Sequence, residues 1–378
     1  MSNSAFHHVK IVGYNVVLPK NHIDVDDELQ YFDNNPKKLA RQKKMIGFGR
    51  RYIADALTSV TDLARDAVQK LFTGLNIRSE NVDALIVVDH TPDYLGPCDA
   101  CILHGQLGFR KDIPAFDVNI SCSGYIYGLW LAHTMIESGA VKNCLLVVGD
   151  LATAGTKQSN RKRAPLFSDS VSATFLEFSA AECVSNFTLG TDGLGWDHIV
   201  KPVGGARIPF AKEMFDISVR DMAGNEWTCN QEIMKGEEVF AFTMDVVPKL
   251  IHEVLDSAGM QVDDIDIYAI HQANKQIVEM LVSKSNLPPE KVPTDVFSRY
   301  ANATMNSVLT VVCDPFVMLK RGNVLMTSFG AGLSWAAAIL NLSDSNNLGI
   351  SFYTPQGSRP TPQERLDAWM KQFKGDNA

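Results

Sequence analysis

The strongest constraint on the fold is that the chain repeats itself. In one half a helix leads through Asn76-Ile-Arg-Ser-Glu-Asn-Val-Asp83 into a strand ending at Asp89. In the other, a helix leads through Gly259-Met-Gln-Val-Asp-Asp-Ile-Asp266 into a strand ending at Ile270. A second correspondence follows in the same order, with Ser138-Gly-Ala-Val-Lys-Asn-Cys-Leu-Leu-Val-Val-Gly149 answered by Leu319-Lys-Arg-Gly-Asn-Val-Leu-Met-Thr-Ser328. Alternating strands and helices imply parallel sheets covered by helices, hence an α/β protein. Two such halves about a pseudo-twofold axis bring corresponding strand ends together. A length of 378 residues suffices for this duplicated plan. The expected division is 1–178 for the first half and 179–342 for the second. Residues 343–378, polar and interrupted by Pro355, Pro360 and Pro362, are expected to form an extension outside the core.

Chemistry gathers at those strand ends. Ala115 to Ile120 reads as a short buried strand, and Gly124 to Ser138 as a helix apolar nearly all round, the mark of a central helix. Cys122 stands at the corner between them. Free backbone N–H groups and the helix dipole there favour a thiolate and raise its nucleophilicity. The same N–H groups can hold a carbonyl oxygen as it becomes an oxyanion. Ser121, Ser123 and Gly124 are small and leave room for a substrate. The competing reading is a buried cysteine that only packs. In the second half, the strand Ile265 to Ile270 delivers His271-Gln-Ala-Asn274 to the start of a helix. Arg299-Tyr-Ala-Asn302 precedes another, expected to run to about Leu319. His271 alone is compatible with a hydrogen-bonded core histidine, and Asn302 with a helix cap. All three occupy corresponding corners of the repeat, which joins them into one constellation.

The rest of the chain narrows the function class. A net charge of -8 argues against nucleic acid as a general partner. Seven cysteines spread through apolar segments do not form a disulfide framework, and the lone pair Cys98/Cys101 reads as packing rather than zinc ligation. No apolar run approaches a membrane span, and the start lacks a signal-peptide pattern, so a cytoplasmic protein is expected. Lys37 to Arg51 is strongly basic. It reads either as a solvated helix face or as a landing site for a phosphate-bearing cofactor or an acidic carrier protein. Leu166 to Phe178 and Cys183 to Leu189 read as paired strands, and Phe210 to Asn230 as a loop-rich insertion.

Cys122 in its strand–helix setting, His271-Gln-Ala-Asn274, Arg299-Tyr-Ala-Asn302 and Phe329-Gly-Ala-Gly-Leu-Ser-Trp335 resemble the β-ketoacyl-acyl carrier protein synthase III group of the thiolase superfamily. Met234-Lys-Gly-Glu-Glu-Val-Phe240 and Leu166-Phe-Ser-Asp169 fit the same pattern. The resemblance covers roughly Val9 to Leu342. It implies the thiolase fold, two duplicated βαβαβ-type halves in a five-layer αβαβα sandwich. It further implies that Cys122 takes an acyl group from a thioester. His271 and Asn302 would bind the carbonyl of a malonyl-type thioester as it loses carbon dioxide, and the backbone N–H groups of Cys122 and Ala331 would form the oxyanion hole. By the same resemblance Arg161, Met234, Gly236, Phe240, Ala273, Asn274 and Phe329 line a pantetheine channel. No metal and no tightly bound cofactor are implied. Coenzyme A or phosphopantetheine thioesters are the substrates, acyl-CoA or acyl carrier protein the partners, and a homodimer the assembly.

The chain departs from that pattern in places. Arg41 and Met45 stand near where the group has a tryptophan and an arginine for the coenzyme A head. Gln276 replaces an arginine, and Ser168, Ser170 and Ser172 replace glycines. These departures imply a specialised relative serving a secondary metabolite or a surface or signalling molecule. Cys122-Ser-Gly-Tyr-Ile-Tyr-Gly also resembles the alkylquinolone-forming branch. Alternatives are acyl transfer to oxygen or nitrogen on the same fold, a catalytically silent binding subunit and, remotely, a papain-like cysteine protease, which shares the Cys, His, Asn order but lacks the local signature around its cysteine here.

Overall fold

The structure, a computed structural model, describes residues 1–214, 217–222, 224–317, 322–355 and 357–371. Strands β1 (Ser2–Phe6) and β2 (Val9–Pro19) open the chain. The first half continues with α1 (Val60–Leu75), β3 (Leu85–Asp89), α2 (Asp99–Gln106), β4 (Ala115–Asn119), α3 (Gly124–Glu137), β5 (Asn143–Asp150) and β6 (Ser170–Phe178). The second comprises β7 (Ser185–Thr191), α4 (Gly236–Ala258), β8 (Ile267–Ile270), α5 (Lys275–Lys284), α6 (Ser307–Cys313), β9 (Asn323–Gly330) and β10 (Ser334–Asn341). Strand β11 (Asn346–Tyr353) follows. The expected end of the helix after Asn302, at Leu319, lies outside the described residues.

One sheet runs β11-β2-β6-β5-β3-β4 and the other β1-β7-β10-β9-β8. Read from their equivalent strands, β3-β5-β6-β2-β11 answers β8-β9-β10-β7-β1, so the repeat seen in the sequence is a repeat of topology. Helices α1 and α2 cover the outer face of the first sheet, α4 and α5 the outer face of the second, and α3 and α6 fill the space between. The result is the five-layer αβαβα sandwich. Sheets covered on both faces need strands that are apolar throughout, which is why Leu85-Ile-Val-Val-Asp89 is buried at every position. Helix α3 approaches its sheet closely because Gly128 has no side chain: a Cβ there would lie 2.7 Å from Leu146. Gly124 serves the same packing, since its Cβ would meet Met305 and Val88 at 2.8 Å. Its smallness therefore admits neighbouring core atoms, not the substrate the sequence suggested.

Four expectations need correction. The sheets are mixed rather than parallel: β3 pairs in parallel with β4 and β5, but β6 runs antiparallel to β5 and β10 to β9. Loops rather than crossover helices join those pairs, and an antiparallel neighbour needs no crossover. The stretches ending at Phe178 and beginning near Ser185 do not pair with each other, since β6 joins β2 and β5 while β7 joins β1 and β10. Strand β4 is an edge strand, half-buried and exposed at Asn119, rather than a buried one.

The fourth correction concerns the polar tail. Strand β11 adds in parallel to β2 at the edge of the first sheet. Tyr353 is buried, Ser345 Oγ donates to the Ile11 carbonyl at 2.7 Å, and Arg359 grips Asp55 with both terminal nitrogens. At the other end of the chain, β1 belongs to the second sheet. The halves thus exchange their terminal strands, and the stretch through Tyr353 is part of the core, while the helix Pro362–Lys371 buries none of its residues. Truncation after Leu342 is expected to expose the edge of β2 and to lower the melting temperature by ~5–10 °C, a few kcal/mol at roughly 2–4 °C each. An unchanged melting curve would show that the sheet does not need this strand.

The basic segment is also less available than its sequence suggests. Arg50 pairs with Asp24, Lys43 with Asp26 and Lys38 with Asp33. Arg51, 2% exposed, holds Glu28 in two hydrogen bonds of 2.6 Å, and Arg161 binds the same carboxylate. Burial works against the charge on Glu28, but the two guanidiniums outweigh it and keep its carboxyl below the usual range. These cations tie the first loop together, which leaves less charge to attract a ligand.

Candidate active site

The C-terminal ends of β3, β5, β8 and β9 converge on one cavity of about 1150 Å³, part of it open to solvent. Cys122, His271 and Asn302 all line it. So do Met234, Gly236, Phe240, Ala273, Asn274 and Phe329 of the expected channel. Arg161 stands apart: its guanidinium is bound to Glu28 and stacked on Tyr31 and Phe32, and it is not among the lining residues. Asn274 has a second task, since its side chain caps α5 by accepting from the Ile277 N–H.

Each central residue is held by local structure. Ser328 Oγ donates to the Cys122 carbonyl at 2.5 Å, tying the nucleophile's corner to β9. Gly330 lies against the cysteine so closely that a Cβ would be 3.0 Å from Sγ, which excludes any larger residue there. Ala331, expected at the oxyanion hole, is the residue after Gly330; it is not among the residues lining the cavity, and its carbonyl accepts from Ser334 Oγ at 2.9 Å. His271 is 2% exposed, with Nδ1 2.5 Å from Ser307 Oγ and the ring edge-on to Phe329. With Nδ1 engaged, Nε2 is the nitrogen left for a ligand. When the Ser307 hydroxyl is the donor in that bond, Nε2 carries the proton. Asn302 is clamped by backbone bonds to Leu166 and Ser168, and its Oδ1 accepts from the Thr304 N–H at 2.8 Å. That contact assigns the amide orientation and leaves Nδ2 as a donor.

At the Cys122 sulfur, burial works against the thiolate that the helix N-terminus favours. Burial pushes the Cys122 thiol up to about 12, the Glu232 and Asp150 carboxylates add to this, and the Ser121 hydroxyl opposes it. The helix N-terminus pulls the other way by up to about 2 kcal/mol. That is less than the roughly 4 kcal/mol separating such a thiol from an ordinary one at 9.0. The resting group is the thiol, and its proton must leave during acyl transfer. His271 is likewise neutral, because burial holds its imidazole down to about 4.

Sequence reasoning missed several members of this site. Ser307 and Ser328 support His271 and Cys122. His90, Thr91, Asp150, Arg163 and Glu232 line the same cavity as the cysteine. A usable signal existed for His90 and Asp150, which end or follow parallel strands, where α/β sheets place ligands. Glu232 gave none, since only the tertiary fold brings it to the sulfur. Cys98 and Cys101 lie with sulfurs 3.4 Å apart at the start of α2, and Cys101 is exposed rather than packed inside. Away from the cavity, Asp89, Asp99 and Asp117 converge within 4.8 Å. Burial first, and then their mutual repulsion and that of Asp93, raise Asp89 and Asp99 above the usual carboxylate range. Asp99, raised to about 8, keeps its proton at neutral pH, whereas Asp89, raised to about 6, is mostly ionised there.

A duplicated five-layer sandwich with a cysteine at a strand–helix corner, facing a histidine and an asparagine from the other half, defines a thiolase-type enzyme site. Residues 116–193 match the family described as 3-oxoacyl-[acyl-carrier-protein (ACP)] synthase III, and residues 255–342 match its C-terminal family. A Campylobacter jejuni relative, provisionally named a 3-oxoacyl-[acyl-carrier-protein] synthase 3, is 37% identical over 356 residues, 93% of this chain and 99% of its own. A β-ketoacyl-[acyl-carrier-protein] synthase III of Clostridium perfringens is 32% identical over 338 residues, 88% of this chain and 99% of its own. The crystal structure of a 3-oxoacyl-(acyl-carrier protein) synthase from Burkholderia xenovorans superposes with a TM-score of 0.84 at 34% identity, covering 93% of this chain and 99% of that one. The chain belongs to the 3-oxoacyl-[acyl-carrier-protein] synthase III family of condensing acyltransferases. Among the described residues no helix is long and apolar enough to cross a membrane.

Proposed function

We propose that the protein joins an acyl group held on Cys122 to a malonyl-type thioester by decarboxylative condensation, in a specialised lipid or secondary-metabolite route. Supporting this is one observation above the others: Ser307 Oγ engages His271 Nδ1 and the Thr304 N–H engages Asn302 Oδ1, which leaves His271 Nε2 and Asn302 Nδ2 for a ligand in the cavity that holds Cys122. In the first step the Cys122 sulfur bonds to the acyl carbon as the carbon–sulfur bond of the donor thioester breaks. The thiol proton passes to the departing thiol, which is coenzyme A or phosphopantetheine. The malonyl thioester then enters along Met234, Gly236, Phe240, Ala273, Asn274 and Phe329. It loses carbon dioxide, and the electron pair of the broken bond moves into an enolate whose oxygen accepts from His271 and Asn302. The enolate carbon attacks the acyl carbonyl, whose oxygen is held by the N–H groups of Cys122 and Ala331. Collapse expels the Cys122 thiolate, which takes a proton from water and restores the thiol. Neither donor is a carboxylate, and no proton needs to be abstracted, which favours condensation over transfer to an oxygen or nitrogen nucleophile. The test is to supply an acyl thioester and a malonyl thioester and follow carbon dioxide and a β-ketoacyl product by mass spectrometry. Acyl transfer to oxygen or nitrogen with no carbon dioxide released would overturn the reading.

The protein works as a homodimer in this proposal. Strand β4 leaves one edge of the first sheet unpaired, and half-buried apolar side chains accompany it, among them Phe116, Val118, Tyr127, Trp130 and Leu131. An unpaired edge beside apolar surface suits a second copy. Light scattering at micromolar concentration is expected to give twice the chain mass, and a monomer would refute it.

A further inference from the structure

Cys98 and Cys101 are the one pair of cysteines among the described residues whose sulfurs touch, 3.4 Å apart, and the proposed reaction does not use them. Strands β3 and β4 run parallel, with α2 as the crossover between them. Cys98 caps the start of α2, and Cys101 lies in its first turn. A Cys-x-x-Cys at the head of the helix in a βαβ unit is the arrangement of dithiol redox sites. The geometry suits a disulfide. Residues three apart on a helix have Cα atoms ~5 Å apart, inside the roughly 4.4–6.8 Å that a disulfide bridges. The Cys101 N–H donates to the Cys98 carbonyl at 3.1 Å, which holds that turn. Side-chain rotation then brings the sulfurs from contact to the ~2 Å of a bond. Cys101 is exposed and Cys98 half-buried, so a small molecule reaches the pair. A metal suits it less. Structural zinc takes four ligands. Among the described residues the only group of three or more His, Cys, Asp and Glu side chains close enough to share an ion is Asp89, Asp99 and Asp117, which includes neither sulfur.

Nor does the site favour a thiolate. The Asp99 and Ala100 N–H groups, which would stabilise one, donate to the Asp117 carboxylate at 2.6 and 2.7 Å. The hydrogen bond with Cys98, then burial and the nearby charges of Cys98 and Asp117, raise the Cys101 thiol above its usual value. Disulfides that pass their oxidation on owe that power to a stabilised reduced form, which this pair lacks. We infer that Cys98 and Cys101 are a redox modification site, converted by a low-molecular-weight disulfide such as glutathione disulfide into an intramolecular disulfide that stays in place as a staple until a thiol reduces it. One cysteine sulfur attacks the small disulfide and expels the first glutathione thiolate. The other attacks the resulting mixed disulfide and expels the second. Two protons leave the cysteines and end on the two glutathione molecules, so two electrons pass from the pair to the oxidant. The staple closes the far end of a segment that begins at the cavity. His90 and Thr91 line that cavity, Leu95 is 94% exposed, and the Asp93 N–H donates to the Asp99 carboxyl, which ties the segment to the first turn of α2.

The experiment treats the full chain with glutathione disulfide and then with dithiothreitol. Free thiols are trapped with N-ethylmaleimide and mapped by peptide mass spectrometry. Trypsin leaves both cysteines on one peptide, 79–110. In the oxidised sample that peptide should be lighter by two hydrogens and carry no maleimide, and dithiothreitol should restore both reactive thiols. Cys98→Ser should stop at a glutathione adduct on Cys101, because the second displacement is gone. Amide hydrogen exchange over 91–99 should slow on oxidation and recover on reduction. A lasting glutathione adduct on Cys101 of the parent, bonding of either cysteine to a third, or two thiols still free after oxidation overturns the inference. Exchange that oxidation leaves unchanged overturns it equally.

Discussion

Cys122→Ala is expected to abolish acyl loading, with a loss on the order of 10⁶-fold, the scale seen when a covalent nucleophile is removed. Nothing else in the cavity can replace it. The other described cysteines are free thiols, and none of them lines this cavity. Loss of one sulfur at a half-buried position should alter stability by no more than about 1 kcal/mol, so the variant should melt like the parent. It should also keep a partial activity. In the proposed mechanism His271 and Asn302 bind the malonyl carbonyl without help from the sulfur, so the variant should still release carbon dioxide from a malonyl thioester, without forming a β-ketoacyl product. Intact mass spectrometry reads the first outcome and carbon dioxide capture the second. A stable acyl adduct on the alanine variant would refute the assignment of the nucleophile.

The complementary variant is Asn302→Asp. One oxygen of the introduced carboxylate can still accept from the Thr304 N–H, as Oδ1 does now. The other takes the place of Nδ2, where it offers a negative charge to an oxygen that is itself becoming negative. Loss of one such donor typically costs ~100- to 1000-fold, and repulsion adds to it. Measured at about pH 8, where the new carboxyl is ionised, the variant should load Cys122 at near the parental rate yet lose malonyl decarboxylation. Burial raises a carboxyl's pKa, so acidification should restore part of the activity as protonation returns a donor. The assignment fails if carbon dioxide is released at the parental rate at about pH 8. Together the two variants separate loading from decarboxylation, a separation that a purely structural role for either residue does not produce.

The duplicated order of strands and helices was legible because both periodicities are local. An apolar run such as Leu85–Asp89 and an all-round apolar helix such as Gly124–Glu137 announce their burial whatever surrounds them. Cys122, His271 and Asn302 could be grouped because each follows or precedes such an element at a matching point of the repeat. The amino-acid order alone thus determined the α/β repeat, the central helix and the residues at its corners. Tertiary structure decided the rest. Strand β11 was hidden because an edge strand is half polar, and Asn346, Asn347 and Ser351 mask the alternation that its pairing with β2 reveals. The basic segment promised a ligand site, but acidic partners take up part of its charge, as when Glu28 receives both Arg51 and Arg161. The state of the Cys122 thiol depends on burial and on Glu232, which is 110 residues away. A helix N-terminus is visible in sequence and favours the thiolate, whereas desolvation and distant carboxylates exist only after folding, and at this sulfur they are the larger effect.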